Sequence, residues 1–155
     1  MHLPHPEQAF ADACRVLGPG GFSAFTVWAT PKPGEAFGIV LGTIQEHGDP
    51  NAMLRPAPPY FRFAEADEAR KIFEQTGFVE PNTCLVPQYW HHDTPDQVFD
   101  AFNEGAVRAT AMLRAQSEEA HEKIRTVVRA QVERLREGDR YVVPVPAALS
   151  WAQKP

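Results

Sequence analysis

The chain has 155 residues, enough for one domain with a sizeable core, and its 43% apolar and 23% charged side chains exclude wholesale disorder. A formal net charge of −5, with no basic stripe interleaved with aromatics, argues against a nucleic-acid partner, because phosphate binding needs a basic face. No apolar run approaches the ~18 residues of a transmembrane helix. The opening Pro4-His5-Pro6-Glu7 is not a basic-then-apolar signal pattern, so a soluble cytoplasmic protein is expected.

Pro6 suits a first helical position, where its missing N–H costs nothing. Phe10, Ala13, Cys14 and Leu17 then recur at helical spacing, and Gly18 with Pro19 predicts the stop. Phe22 to Trp28 mixes β-branched and aromatic residues with small ones and reads as a strand covered on both faces. Residues 30–62 are loop-rich. Pro31, Pro33 and Gly34 break the chain, Phe37, Val40, Leu41 and Ile44 suggest a short amphipathic helix, and Gly48 through Pro59 marks a long loop of the kind that forms lids.

A helix is predicted from about Asp67 to Thr76, burying Ala69, Ile72 and Phe73, with Gly77-Phe78 as a glycine stop and its hydrophobic contact. Val79 to Trp90 should contain one strand, limited by Pro81 and Pro87. Thr94-Pro95-Asp96 opens a helix whose stripe is Val98, Phe99, Phe102, Ala106, Ala109 and Leu113. Ser117-Glu118-Glu119 opens another, with Ile124, Val127, Val128, Val132 and Leu135 on one face and Gly138 as its end. Tyr141 to Trp151 reads as a last strand. Cys14 and Cys84 belong to no CxxC pair and are expected to be small core residues in a reducing compartment.

Three stretches then resemble a known family. Leu3-Pro4-His5-Pro6-Glu7-Gln8-Ala9-Phe10, continuing through Cys14-Arg15-Val16-Leu17-Gly18-Pro19-Gly20-Gly21 to Phe25-Thr26-Val27-Trp28, is similar to the segment after the fourth strand of class I S-adenosylmethionine-dependent methyltransferases. There a helix of the form D-P-x-x-A-L-x-E-x-x-R-V-L-K-P-G-G leads into the fifth strand; Gly18 stands where the family usually has a basic residue. Glu68 to Phe78 resembles the following helix, whose A-G-F ending leads into strand six. Tyr141 to Ser150 resembles the antiparallel seventh strand of a ubiquinone-biosynthesis-like, methyltransferase type 11-like branch, which also carries helices between strands six and seven.

The resemblance implies an α/β fold: the C-terminal half of a Rossmann-like methyltransferase sheet, strands five, six and seven, with helices and an inserted helical cap. On that reading residues 1–155 are a single partial domain, 30–62 a lid segment and 94–137 the cap. The family's glycine-rich loop after strand one and the acidic residue ending strand two have no counterpart here, because no GxGxG precedes a helix. The implied cofactor is S-adenosylmethionine, with binding by this chain alone not expected.

Methyl transfer needs an acceptor held in line with the sulfonium methyl, and sometimes a base. His2 and Leu3 match the loop that approaches the cofactor. Trp28 ends the fifth strand at the carboxyl edge, where open α/β sheets bind ligands. Tyr60 and Phe61 close the long loop, and Trp90, His91 and His92 lie where strand six meets the cap. Trp28, Tyr60, Phe61, Trp90 and His91 are the candidate acceptor contacts. No catalytic residue is singled out. His91 and His92 are neighbours in a strand, so they point to opposite faces, and no Asp, Glu or Cys completes a metal set; no metal is expected. His5, His47 and His121 read as solvated.

Two functions fit. One is the acceptor-binding half of a small-molecule methyltransferase, inactive alone. The other is a non-catalytic small-ligand-binding or dimerising protein derived from that fold. The family's sheet places strand five between strands four and seven. Without strand four, Phe22 to Trp28 is an exposed edge, which predicts a homo-oligomer through residues 22–28 or a dependence on the missing N-terminal half. A small-molecule acceptor, no nucleic acid and no membrane complete the expected partners.

Overall fold

The computed structural model describes residues 3–49, 52 and 59–155. They form a mixed α/β structure with two small sheets, and the chain divides into two compact units. The first draws on residues 1–30, 57–87 and 146–155, the second on 31–56 and 88–145.

Unit one is a three-stranded sheet with helices on one face. Helix α1, Pro6–Val16, begins on proline as its sequence predicts. It leads into β1, Phe22–Trp28, by a turn whose left-handed residue is Gly20 at φ 76°, rather than the expected Gly18. Helix α3, Ala66–Gln75, precedes β2, Val79–Val86, and the chain returns as β6, Ala147–Gln153. The order is β1-β6-β2, with β6 antiparallel to both neighbours, so β1 and β2 run parallel to each other.

The glycine stop of α3 forms in full. The Phe78 N–H donates to the Phe73 carbonyl at 3.0 Å, and the Gly77 N–H donates to Glu74 at 3.2 Å. Gly77 sits at φ 92°, a conformation that side chains with a Cβ resist, and the Phe78 ring meets Phe73 edge-on at 5.4 Å.

Register assigns the faces. Ser23, Phe25 and Val27 of β1 share a face with Ala148, Ser150 and Ala152 of β6. The small residues of the central strand leave room for α3, whose Phe73 is fully buried. Phe25 lies 5.2 Å from Phe10, 5.5 Å from Phe73 and 6.0 Å from Phe63. Each such ring contributes on the order of 3 kcal/mol by burial and about 1 kcal/mol more per edge-on partner. Ser150, fully buried, is satisfied by the Thr83 hydroxyl at 2.9 Å.

The opposite face corrects an expectation. Phe22, Ala24 and Thr26 are exposed, so β1 is covered on one face only. Cys84 is exposed on β2 and is not a core residue; Cys14 is half-buried, packed against the cluster of Phe73, Phe78 and Ala152.

Unit two joins the helix of residues 30–62 to those of 94–137. Helix α2, Ala36–His47, packs with α4, Asp96–Gly105, α5, Val107–Arg114, and α6, Glu118–Glu133. Three helices occupy the span in which the hydrophobic stripes predict two. The core holds Ile39, Val40, Val98, Phe99, Phe102, Leu113, Ile124, Val128 and Val132, all 2% exposed or less. Ser117 caps α6 by accepting from the Ala120 N–H.

A second sheet, order β3-β5-β4, belongs to this unit: β3 is Tyr89–His92, β4 Arg136–Glu137 and β5 Arg140–Pro144. The single strands expected over 79–90 and 141–151 are each two strands, interrupted at Pro87–Gln88 and at Val145–Pro146, because proline cannot donate to a continuing ladder. Gly138 turns the β4–β5 hairpin and does not end α6, which stops at Glu133.

Candidate functional site

The three strands of unit one end together. Trp28 of β1 is opposite Ala147 of β6, which is opposite Val86 of β2. This is the carboxyl edge of the parallel pair, and the chain passes between the units just beyond it, at 30–31, 87–88 and 145–146. Trp28 is half-buried there, and the next residue, Ala29, donates its N–H to the Pro146 carbonyl at 3.0 Å. The Thr30 hydroxyl donates to the Glu65 carboxylate.

Tyr60 and Phe61 also belong to unit one. Their rings meet edge-on at 4.8 Å, both are half-buried, and burial pushes the Tyr60 phenol up. What positions them is the 3-10 turn that follows, Arg62–Ala64. Phe63 is driven into the aromatic core, and Arg62 spans Glu7 of α1 at 3.1 Å and Glu68 of α3 at 2.9 Å. Both carboxyls are held below their usual range, Glu7 chiefly by a backbone hydrogen bond and then Arg62, Glu68 by Lys71 and Arg62. Leu3 is 53% exposed, and its aliphatic chain offers a cofactor no donor or acceptor. His2 lies outside the described residues.

Trp90 and His91 lie in unit two, on β3. Trp90 is opposite Val143 on the face that the helices cover, 5.9 Å from the Phe102 ring, which in turn meets Phe37 at 4.8 Å. His91 is opposite Val142 and exposed. The imidazole that accompanies Trp90 is His92, 5.9 Å away ring to ring. Its Nε2 is buried with no hydrogen-bond partner among the described residues, and burial lowers its pKa. Strand parity carries that signal, since residues two apart share a face. His121 is not simply solvated: it packs edge-on against Phe99 at 5.2 Å and pairs with Asn103.

The structure therefore pairs Tyr60 with Phe61, and Trp90 with His92 rather than with His91. Leu3, Trp28, Tyr60 and Phe61 belong to one unit and Trp90 and His91 to the other. Among the described residues no group of three or more His, Cys, Asp or Glu side chains could hold a metal ion, and no helix is long and apolar enough to cross a membrane.

S-adenosylmethionine would need a cradle of backbone N–H groups between a strand and a helix. The described strand-to-helix connections do not provide one. Between β1 and α2 the Lys32 N–H donates to the Glu35 carboxylate, and between β3 and α4 the Asp93 and Thr94 N–H groups donate to Gln97, so these donors are already engaged. The Gly18–Gly21 turn enters a strand instead of leaving one. Among the described residues no such cradle faces the cofactor's amino-acid end.

No family model matches the chain, and no curated protein matches it in sequence. Among solved structures it is similar to a Bacillus halodurans C-125 protein assigned as a methyltransferase, at 18% identity and a TM-score of 0.48. That match covers 99% of this chain and 60% of the other, so the chain spans less than two thirds of its neighbour's length.

Proposed function

We propose that these residues are the acceptor-binding portion of an S-adenosylmethionine-dependent small-molecule methyltransferase, with the cofactor's glycine loop carried by polypeptide outside them. The observation that supports this is the sheet of unit one. In its order, β1-β6-β2, an antiparallel strand lies beside β1, as the resemblance places the antiparallel seventh strand beside strand five. Helices α4, α5 and α6 of unit two enter the chain between β2 and β6, where the resemblance places the cap.

On this reading the chain holds and orients an acceptor and does not bind the cofactor by itself. Trp28, Tyr60, Phe61, Trp90 and His91 are the proposed contacts, each to be substituted singly. Aromatic surfaces of this kind suit a small, partly apolar acceptor.

Calorimetric titration of the 155-residue chain with S-adenosylmethionine tests the reading. No binding alone, followed by methyl transfer once a cofactor-binding polypeptide is added, supports it. Tight binding to the isolated chain overturns the claim that the glycine loop lies elsewhere. A retained apolar ligand with no transfer under either condition favours a non-catalytic binding protein.

A further inference from the structure

Tyr60 and Phe61 stand at the apex of a turn. The Arg62 N–H donates to the Pro59 carbonyl at 3.2 Å, which makes Tyr60 and Phe61 the two central residues of a β-turn. Phe61, at φ −102° and ψ 15°, has the backbone that the second of those positions takes in the commonest turn type. The Phe61 carbonyl accepts from the Ala64 N–H at 2.9 Å, so this turn runs directly into the 3-10 turn of Arg62–Ala64. How the two rings are presented therefore depends on what holds residues 62 and 63.

Two anchors hold them, and they differ in kind. Phe63, 7% exposed, sits against Phe10 at 6.1 Å and Phe25 at 6.0 Å. Apolar burial is non-directional, and on its own it leaves the turn free to pivot about one ring. Arg62 removes that freedom. Its Nη1 donates to Glu7 of α1 at 3.1 Å and its Nε to Glu68 of α3 at 2.9 Å, with the guanidinium 4.8 Å from the centre of the Phe63 ring. The other carboxylate oxygen of Glu68 accepts from Lys71 at 2.9 Å, which fixes that partner in turn. A planar guanidinium engaged by two helices sets a direction as well as a position. Both pairs are partly solvated, so they contribute little to the stability of the whole fold.

We propose that Arg62 is the positioning residue of the candidate acceptor contacts: pinned to α1 and α3, it fixes the turn that presents Tyr60 and Phe61. It acts through those rings rather than by touching the acceptor, and this role rests on the acceptor-binding reading given above.

Tyrosine isotopically labelled at Cζ provides the test, because the chain has only three tyrosines and Tyr60→Phe identifies the signal of interest. Burial raises the Tyr60 phenol, and Tyr141 of unit two is raised by burial and by Glu133. In Arg62→Gln the Tyr60 titration should fall toward the ordinary phenol range while that of Tyr141 stays in place. Arg62→Lys, a point charge without the fork, should give an intermediate position. Glu7→Gln removes one arm at an exposed position and should move Tyr60 the same way by less, which keeps the test open if Arg62→Gln does not fold. On the same samples, 2-naphthol, an uncharged probe standing in for a partly apolar acceptor, should bind about fivefold more weakly to Arg62→Gln than to the natural chain. A Tyr60 titration unmoved by these substitutions overturns the proposal. So does one that moves together with Tyr141, or naphthol bound equally with and without Arg62. If Tyr60 moves alone but the natural chain binds no naphthol, the positioning of the turn is supported and it is the acceptor reading that loses ground.

Discussion

Unit two closes on itself, whereas unit one leaves half of its sheet open. In unit two, apolar residues of four helices and a small sheet enclose one another, and Val98, Leu113, Ile124, Val128, Val132 and Val143 have no exposed surface. In unit one the helices cover one face, and Phe22, Ala24 and Thr26 stand in solvent on the other. The difference follows from the sequence of elements. A helix following a strand can cover only the face it crosses. β1 and β2 are preceded by α1 and α3, which pack on the Phe25 face, and no described element of unit one lies on the other. A closed unit should be sensitive to volume, and an open one to what meets its surface.

Phe102→Ala is the largest test. The ring is 1% exposed and contacts both Phe37 and Trp90, so its removal should destabilise the protein by about 3–5 kcal/mol. Denaturant titration measures the loss, and hydrogen exchange should place it within unit two, α2 included. Gly38→Ala comes next. A Cβ at position 38 would lie 1.9 Å from the Lys32 carbonyl oxygen, which is backbone and cannot rotate away. A loss of roughly 2–3 kcal/mol is expected from the forced shift. Gly77→Ala tests unit one. There the added Cβ would meet only Cys14 Sγ at an ordinary 3.5 Å, so the cost is the left-handed backbone alone, about 1–2 kcal/mol. A Gly77→Ala loss larger than that of Gly38→Ala would show that strain, rather than volume, limits both units.

A pH titration sharpens the contrast further. His92 is depressed by burial, opposed by Asp93 and reinforced by His91, so the folded protein holds its neutral form more firmly than the unfolded chain does. The unfolded chain binds the proton more readily, and stability should therefore be fully present above the ordinary histidine range and decline as pH falls through it. Denaturation midpoints against pH should slope in that region for the natural chain and flatten for His92→Phe. A slope of the opposite sign would mean that a carboxylate pairs with the imidazole.

Elements with a strong local cause were legible in the sequence. Pro6 began α1, Ser117 capped α6, and Gly77-Phe78 closed α3, because each effect acts within a few residues. The split of two apparent strands at Pro87–Gln88 and at Val145–Pro146 was harder, since each run keeps its strand character on both sides of the break. What decides it is which unit each half joins, and that is a property of long-range pairing. The choice between His91 and His92 turned on the same property. Parity put His92 on the face of Trp90 from the sequence alone, and only the pairing of β3 with β5 shows that this is the packed face. The covering of β1 failed for a related cause. A strand with small residues between large ones looks the same whether its second face is covered within the same unit or left open.

The smallest effect carries the comparison furthest. Phe22→Ser exchanges an aromatic ring that is 62% exposed for a hydroxyl that water can satisfy. At protein concentrations where the chain is monomeric, stability should change by less than about 0.5 kcal/mol, as for a surface position with no cap, ion pair or strained backbone. A ring of the same type at Phe102 costs several times more, so the ratio of the two losses measures how far unit one is open. Equal losses would mean that Phe22 is covered in solution even in the monomer, and the contrast between the units would then fall.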